Sequence, residues 1–136
     1  MFKKNIFMLT AILFVLAAVF SFSLMAEEKE ELAEFRIIEV VMNNFDFVPE
    51  QINVEPGEKI RFKLINPSSA YHTFTIYNSK TDREEAVVNI ALSSGEEKEV
   101  VVQMPTNDTE LYLVCLPHEG IKMTGKVIVG AGNINN

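Results

Sequence analysis

The chain has 136 residues, with 12 Lys and Arg against 19 Asp and Glu, two His, one Cys and no Trp. A net charge of −7 argues against nucleic acid and anionic lipid as partners. One cysteine excludes an intramolecular disulfide.

Lys3 and Lys4 precede an apolar run from Ile6 to Ala26, and the sequence then turns acidic at Glu27-Glu28-Lys29-Glu30-Glu31. A positive start, an apolar middle and a small residue before an acidic stretch read as an export signal over residues 1–26, cleaved after Ala26. The run is also long enough to span a bilayer, and Leu24 is large for its place before the cut. A retained membrane anchor is therefore the second reading. No cysteine stands at that boundary to carry a lipid. Either way the functional part is expected outside the cytoplasm, in a periplasmic or other extracytoplasmic compartment. There a lone thiol calls for a metal or a partner. Removing residues 1–26 takes two lysines and no acid, leaving 10 cationic against 19 acidic residues, a net charge of −9. That surface allows steering toward a basic protein, and it equally serves solubility.

Residues 27–34 form a charged leader, and from Phe35 onward the chain reads as strands. Phe35 to Met42 is an apolar, β-branched run, and Phe45, Phe47, Ile52 and Val54 alternate with polar residues across a bend at Pro49. Lys59 to Ile65 has period two, with Ile60, Phe62 and Leu64 on one face between turns at Pro56-Gly57 and Asn66-Pro67. His72 to Tyr77 puts His72 in phase with Phe74 and Ile76. A weak helical turn is expected over residues 80–85. Glu85 to Leu92 and Lys98 to Met104 flank the turn Ser93-Ser94-Gly95, and Glu110 to Cys115 and Thr124 to Val129 complete the set. About eight short strands without a long helix predict an all-β, antiparallel sandwich or barrel over residues 35–130. The small, polar end at 131–136 is expected to be a flexible tail.

The chemistry concentrates in Cys115-Leu-Pro-His118-Glu-Gly-Ile-Lys-Met123, read with His72 upstream. A thiolate, two imidazoles and a thioether are the donors of an electron-transfer copper site, where soft sulfur suits Cu(I) and imidazole holds Cu(II). Pro117 and Gly120 are expected to bend the loop that turns these side chains onto one point. Taken singly, Cys115 is more often an inert buried thiol, Met123 core filler and His72 a satisfied core histidine. Their joint occurrence in an exported β domain reverses that. Zinc fits less well, because a thioether is a poor zinc ligand. With both histidines committed, none remains for the second copper site that copper enzymes need, so an enzyme is not expected.

Three blocks carry a family resemblance. They are Asn44-Phe45-Asp46-Phe47-Val48-Pro49 with Ile52, Val54 and Pro56-Gly57; Phe62 to Asn66 leading to His72-Thr73-Phe74; and Tyr112 to His118 with Met123-Thr124-Gly125. Together they make the chain similar to small blue (type 1) copper proteins of the cupredoxin family, of the plastocyanin and pseudoazurin type. The resemblance implies a Greek-key β-sandwich and one type 1 copper ion. It makes His72, Cys115 and His118 equatorial ligands and Met123 the axial one. Two positions depart from the pattern. Thr73 stands where many members have an asparagine that ties the ligand loops together, and Leu116 stands where a hydroxyl residue is common. Both bear on hydrogen bonding around the metal.

The resemblance implies a one-electron carrier between redox proteins, with His118 reaching an apolar patch rimmed by Pro117, Gly120, Ile121 and Ala70. Tyr112 and Phe74 are expected to pack beside the site. The alternative reading is an extracytoplasmic module that delivers or sequesters copper. A third is an accessory domain of a respiratory complex, should the N-terminal segment be retained. Contact with a membrane is expected only through that segment.

Overall fold

Nine strands build two sheets that enclose one core in the computed structural model, which describes residues 35–130. The expected signal or anchor at 1–26, the leader at 27–34 and the tail at 131–136 lie outside the described residues. The strands are β1 (Arg36–Met42), β2 (Phe47–Val48), β3 (Gln51–Val54), β4 (Lys59–Ile65), β5 (His72–Tyr77), β6 (Ala86–Leu92), β7 (Glu97–Gln103), β8 (Thr109–Val114) and β9 (Thr124–Val129). One sheet runs β2-β1-β4-β7 and the other β3-β9-β8-β5-β6.

The all-β, two-sheet expectation holds, and each sheet adds a parallel pair to its antiparallel ladders. β1 runs parallel to β4 from Arg36↔Ile60 to Val41↔Ile65, and β3 runs parallel to β9 from Gln51↔Lys126 to Val54↔Val129. The period-two face of β4 is buried as expected, with Ile60, Phe62 and Leu64 inward. Phe62 meets Phe74 of the opposite sheet at 5.1 Å between ring centroids, and Phe47 meets the same ring edge-on at 6.3 Å. These rings close the sandwich, and each fully buried aromatic or aliphatic side chain there contributes about 1.5–3 kcal/mol.

No helix forms over residues 80–85. Ser79 Oγ instead accepts the backbone N–H groups of Thr81 and Asp82, and Arg83 reaches back to the Lys80 carbonyl at 2.9 Å. Side chains that hydrogen-bond nearby backbone compete with helical bonding. The helical segment in the described residues is a short 3-10 helix, Leu116–Ile121, inside the Cys115–Met123 loop. Among the described residues no helix is long and apolar enough to cross a membrane.

Candidate metal centre

β8 delivers Cys115. Leu111 and Leu113 point inward, and Cys115, two residues further, follows them into the core with no exposed surface. β5 delivers His72 by the same periodicity, in phase with Phe74 and Ile76 and equally buried. The β5–β8 ladder runs through Tyr77↔Tyr112, Ile76↔Leu113 and Thr75↔Val114 and then stops. One step beyond, the Thr73 N–H points at Cys115 Sγ, 3.4 Å away, instead of at a carbonyl. The end of the ladder is therefore where the thiol enters.

After Cys115 the chain folds into the 3-10 helix, with Pro117 in its first turn, where a missing N–H costs nothing. The residue that reverses the loop is not Gly120. Lys122 takes the left-handed conformation at φ 69°, whereas Gly120 does not have a positive φ. This turn brings the Met123 backbone beside those of Cys115 and His118. The Met123 carbonyl accepts the Cys115 N–H at 3.0 Å, and its own N–H donates to the His118 carbonyl at 3.2 Å. Met123 is fully buried.

Three ligand atoms face one another. Cys115 Sγ lies 3.6 Å from His72 Nδ1 and 3.4 Å from His118 Nδ1, and the two Nδ1 atoms are 3.2 Å apart. A point equidistant from the corners of such a triangle lies about 2 Å from each, the length of a metal–nitrogen bond and slightly under a metal–sulfur bond. These three residues form the metal-binding cluster found among the described residues. The donor set fits a soft, redox-active ion in a trigonal plane and contains no carboxylate. Burial, with His118 beside it, pushes the His72 imidazole below its ordinary pKa, keeping it in the neutral form that ligates.

Surrounding residues fix the two ligand loops. The Thr73 hydroxyl accepts the Leu116 N–H at 2.8 Å, and Thr75 Oγ1 lies 3.2 Å from Thr73 Oγ1 and 3.0 Å from Asn89 Oδ1. Thr73 thus ties the loops together with a hydroxyl, and Leu116 takes part through its backbone. Outside the loop, Arg83 forms a two-pronged pair with Glu119, Nη1 to Oε2 at 2.9 Å, and Tyr112 Oη donates to the same carboxylate at 3.0 Å. The Arg83 guanidinium, with the phenol adding to it, holds the Glu119 carboxyl down at about 2. Tyr112 therefore faces the outer surface and braces the loop, while Phe74 packs in the core as expected.

Of the expected rim residues, Pro117, Gly120 and Ile121 are exposed and Ala70 is half-buried. Sequence reasoning missed Phe45, Tyr71 and Leu116, exposed at 44%, 52% and 40%. Phe45 lies edge-on to His118 at 4.9 Å between centroids, and its φ of 73° aims the ring there. It also missed Arg83, Glu119 and Ser68. Ser68 is buried four residues before His72, and its hydroxyl lies 2.9 Å from His72 Nε2.

Comparisons with known proteins agree with this geometry. The family model described as "Cupredoxin-like domain" matches residues 10–129. Reduced auracyanin from the photosynthetic bacterium Roseiflexus castenholzii superimposes with a TM-score of 0.62 at 16% identity, over 69% of this chain and 96% of that one. Auracyanin A, a "blue" copper protein from the green thermophilic photosynthetic bacterium Chloroflexus aurantiacus, gives 0.61 at 16% identity, over 69% and 98%. An oxidized amicyanin variant gives 0.51 at 17% identity, over 68% and 81%. At these identities the likeness is one of fold. No curated relative matches the sequence. The family match and the arrangement of His72, Cys115, His118 and Met123 make the cofactor copper, in a type 1 site.

Proposed function

This chain belongs to the cupredoxin-like family, and from that premise we propose that it is an exported one-electron carrier between redox proteins. His72, Cys115, His118 and Met123 are the residues that would hold its copper. When bound, copper supplies the one-electron change between Cu(I) and Cu(II). The observation that carries the reading is the triangle of Cys115 Sγ and two Nδ1 atoms, with edges of 3.2 to 3.6 Å. A thiol and two imidazoles turned onto one another inside a β-sandwich are already in the geometry that metal binding needs.

The protein's own residues do the rest. Cys115 Sγ accepts the Thr73 N–H and, as a thiolate, would be the sulfur that holds the copper. The strands and the loop hold the ligands in place, so little rearrangement accompanies the change of charge. His118, half-buried beneath Phe45 and bordered by Leu116 and Pro117, forms the electron path to an apolar docking surface. Replacing Ile121 at its rim by Lys should slow electron transfer to a protein partner by roughly tenfold and leave the visible band unchanged. Basic partners are steered by the acidic surface, so transfer rates should fall as ionic strength rises. A rate independent of salt would contradict that steering.

The copper-delivery alternative requires ready metal exchange. His72, Cys115 and Met123 are completely buried, which supports retention. Both histidines of the chain sit at this site, which supports a carrier rather than a copper enzyme. The signal-like N-terminus supports export, with an extracytoplasmic location.

The test is optical. Copper-loaded protein should show an intense thiolate-to-copper visible absorption that bleaches on reduction, returns on oxidation and is absent in Cys115→Ser. A band that survives in Cys115→Ser, or no band in the wild type, would contradict the ligand assignment. Rapid loss of colour to a mild chelator would transfer the protein to the delivery reading.

A further inference from the structure

Asn66, Ser68 and His72 form a buried chain of side-chain hydrogen bonds whose protons can all be assigned. Asn66 Nδ2 faces the carbonyls of Ala70, Ser93 and Leu92 at 2.8, 3.0 and 3.2 Å. Three acceptors around one end of the amide identify that end as the donor. Asn66 Oδ1 is then an acceptor, and it takes the Ser68 backbone N–H at 3.1 Å and the Ser68 hydroxyl at 2.7 Å. A hydroxyl has one proton and two lone pairs. The proton of Ser68 goes to Asn66 Oδ1 at 2.7 Å rather than to the Ala70 carbonyl at 3.4 Å, and one lone pair takes the Ala70 N–H at 3.2 Å. The remaining lone pair faces His72 Nε2 at 2.9 Å. Ser68 has no second proton to offer, so Nε2 must carry the hydrogen.

From this count we infer that Ser68 and Asn66 are positioning residues that hold His72 as the Nε2–H tautomer, leaving the Nδ1 lone pair aimed at Cys115 and His118 before any metal arrives. The inference rests on the proposed ligand role of His72 and adds what sets it. Asn66 is itself anchored: its N–H donates to the Glu96 carbonyl at 3.0 Å and its carbonyl accepts the Gly95 N–H at 2.8 Å. Ser94 Oγ donates to the Ser68 carbonyl at 2.7 Å. The turn between β6 and β7 therefore acts through Asn66 and Ser68 on an imidazole it does not touch. A ligand histidine that donates its other N–H is fixed in orientation and made more basic, which favours the higher charge on the metal.

The first test needs no copper. Two-bond proton–nitrogen correlation spectra of the metal-free protein should show His72 as a single Nε2–H tautomer with a slowly exchanging ring proton. An Nδ1–H tautomer, or a mixture of the two, would overturn the inference. In Ser68→Ala that proton should exchange at least tenfold faster, and in Ser68→Thr, which keeps the hydroxyl, it should stay slow. Loaded with copper, Ser68→Ala should keep the thiolate-to-copper band, lose roughly 10–100-fold in Cu(II) affinity and show a raised reduction potential. An unchanged affinity and potential would overturn the role of Ser68 and leave the carrier reading standing. If wild-type protein shows no thiolate-to-copper band, the carrier reading fails, and the tautomer spectrum still judges the lock.

Discussion

The two histidines of the site are held in opposite ways. His72 sits at the start of a strand, without exposed surface, and its ring is hydrogen-bonded to the buried Ser68 hydroxyl, which is held in turn by Asn66. His118 sits in a 3-10 loop, half-buried, covered by the exposed ring of Phe45. Its loop is braced from outside by the Arg83–Glu119–Tyr112 cluster and from inside by Thr73 and Met123. In the proposed carrier the difference would separate two tasks: the buried, hydrogen-bonded imidazole would fix the coordination geometry, and the one open to the surface would let an electron leave.

Replacing each histidine by Ala in the metal-free protein tests this contrast most strongly. His72→Ala opens a cavity and leaves the Ser68 hydroxyl without its ring partner, so it should cost about 2–4 kcal/mol in denaturant unfolding. His118→Ala should cost about 1 kcal/mol or less, since its ring is partly solvated. Equal losses would erase the distinction between an inner and an outer ligand.

Thr73→Val should have the next largest effect. It keeps the shape but leaves the part-buried Leu116 N–H without its partner, at a cost of about 1 kcal/mol. Hydrogen exchange at Leu116 should accelerate, and the visible band of the copper form should shift. An unchanged Leu116 amide would show that the two ligand loops are held independently.

The outer brace should matter least. Arg83→Met removes a partly exposed pair, worth about 1 kcal/mol or less. Glu119, held at about 2 in the folded chain, binds its proton more readily once unfolded. Its contribution to stability is therefore complete above the ordinary carboxylate range and is lost as pH falls from about 4.5 toward 2. In Arg83→Met the carboxyl should titrate near the ordinary range, and that acid-dependent loss should shrink. A carbon-13 carboxyl titration of the metal-free protein checks both.

Legibility in the sequence followed the range of the interaction. The four donors were legible because one Cys and two His leave no choice, and the +3 and +8 spacing lies in a single loop. The inward face of β4 followed from period-two alternation. The parallel pairs β1–β4 and β3–β9 did not, since pairing between distant strands leaves no local signal. Ser68 lies in Asn-Pro-Ser-Ser, which reads as a polar turn, and only the fold buries it. Thr73 could be seen as a departure from the family pattern, but that its hydroxyl meets the Leu116 N–H depends on two segments 43 residues apart. The loop's reversal was expected at glycine and falls on Lys122, whose left-handed backbone costs about 1 kcal/mol and is imposed by the bonds around it. Arg83 was hidden inside a stretch expected to form a weak helical turn; its partner is 36 residues away.

Anomalous diffraction at the copper edge from crystals of the copper-loaded protein probes the central claim most directly. A single peak is expected between Cys115 Sγ and the Nδ1 atoms of His72 and His118, about 2.0–2.3 Å from each, with the Met123 sulfur as a longer fourth neighbour. A peak elsewhere, or copper bound through Nε2 of His72, would contradict the account.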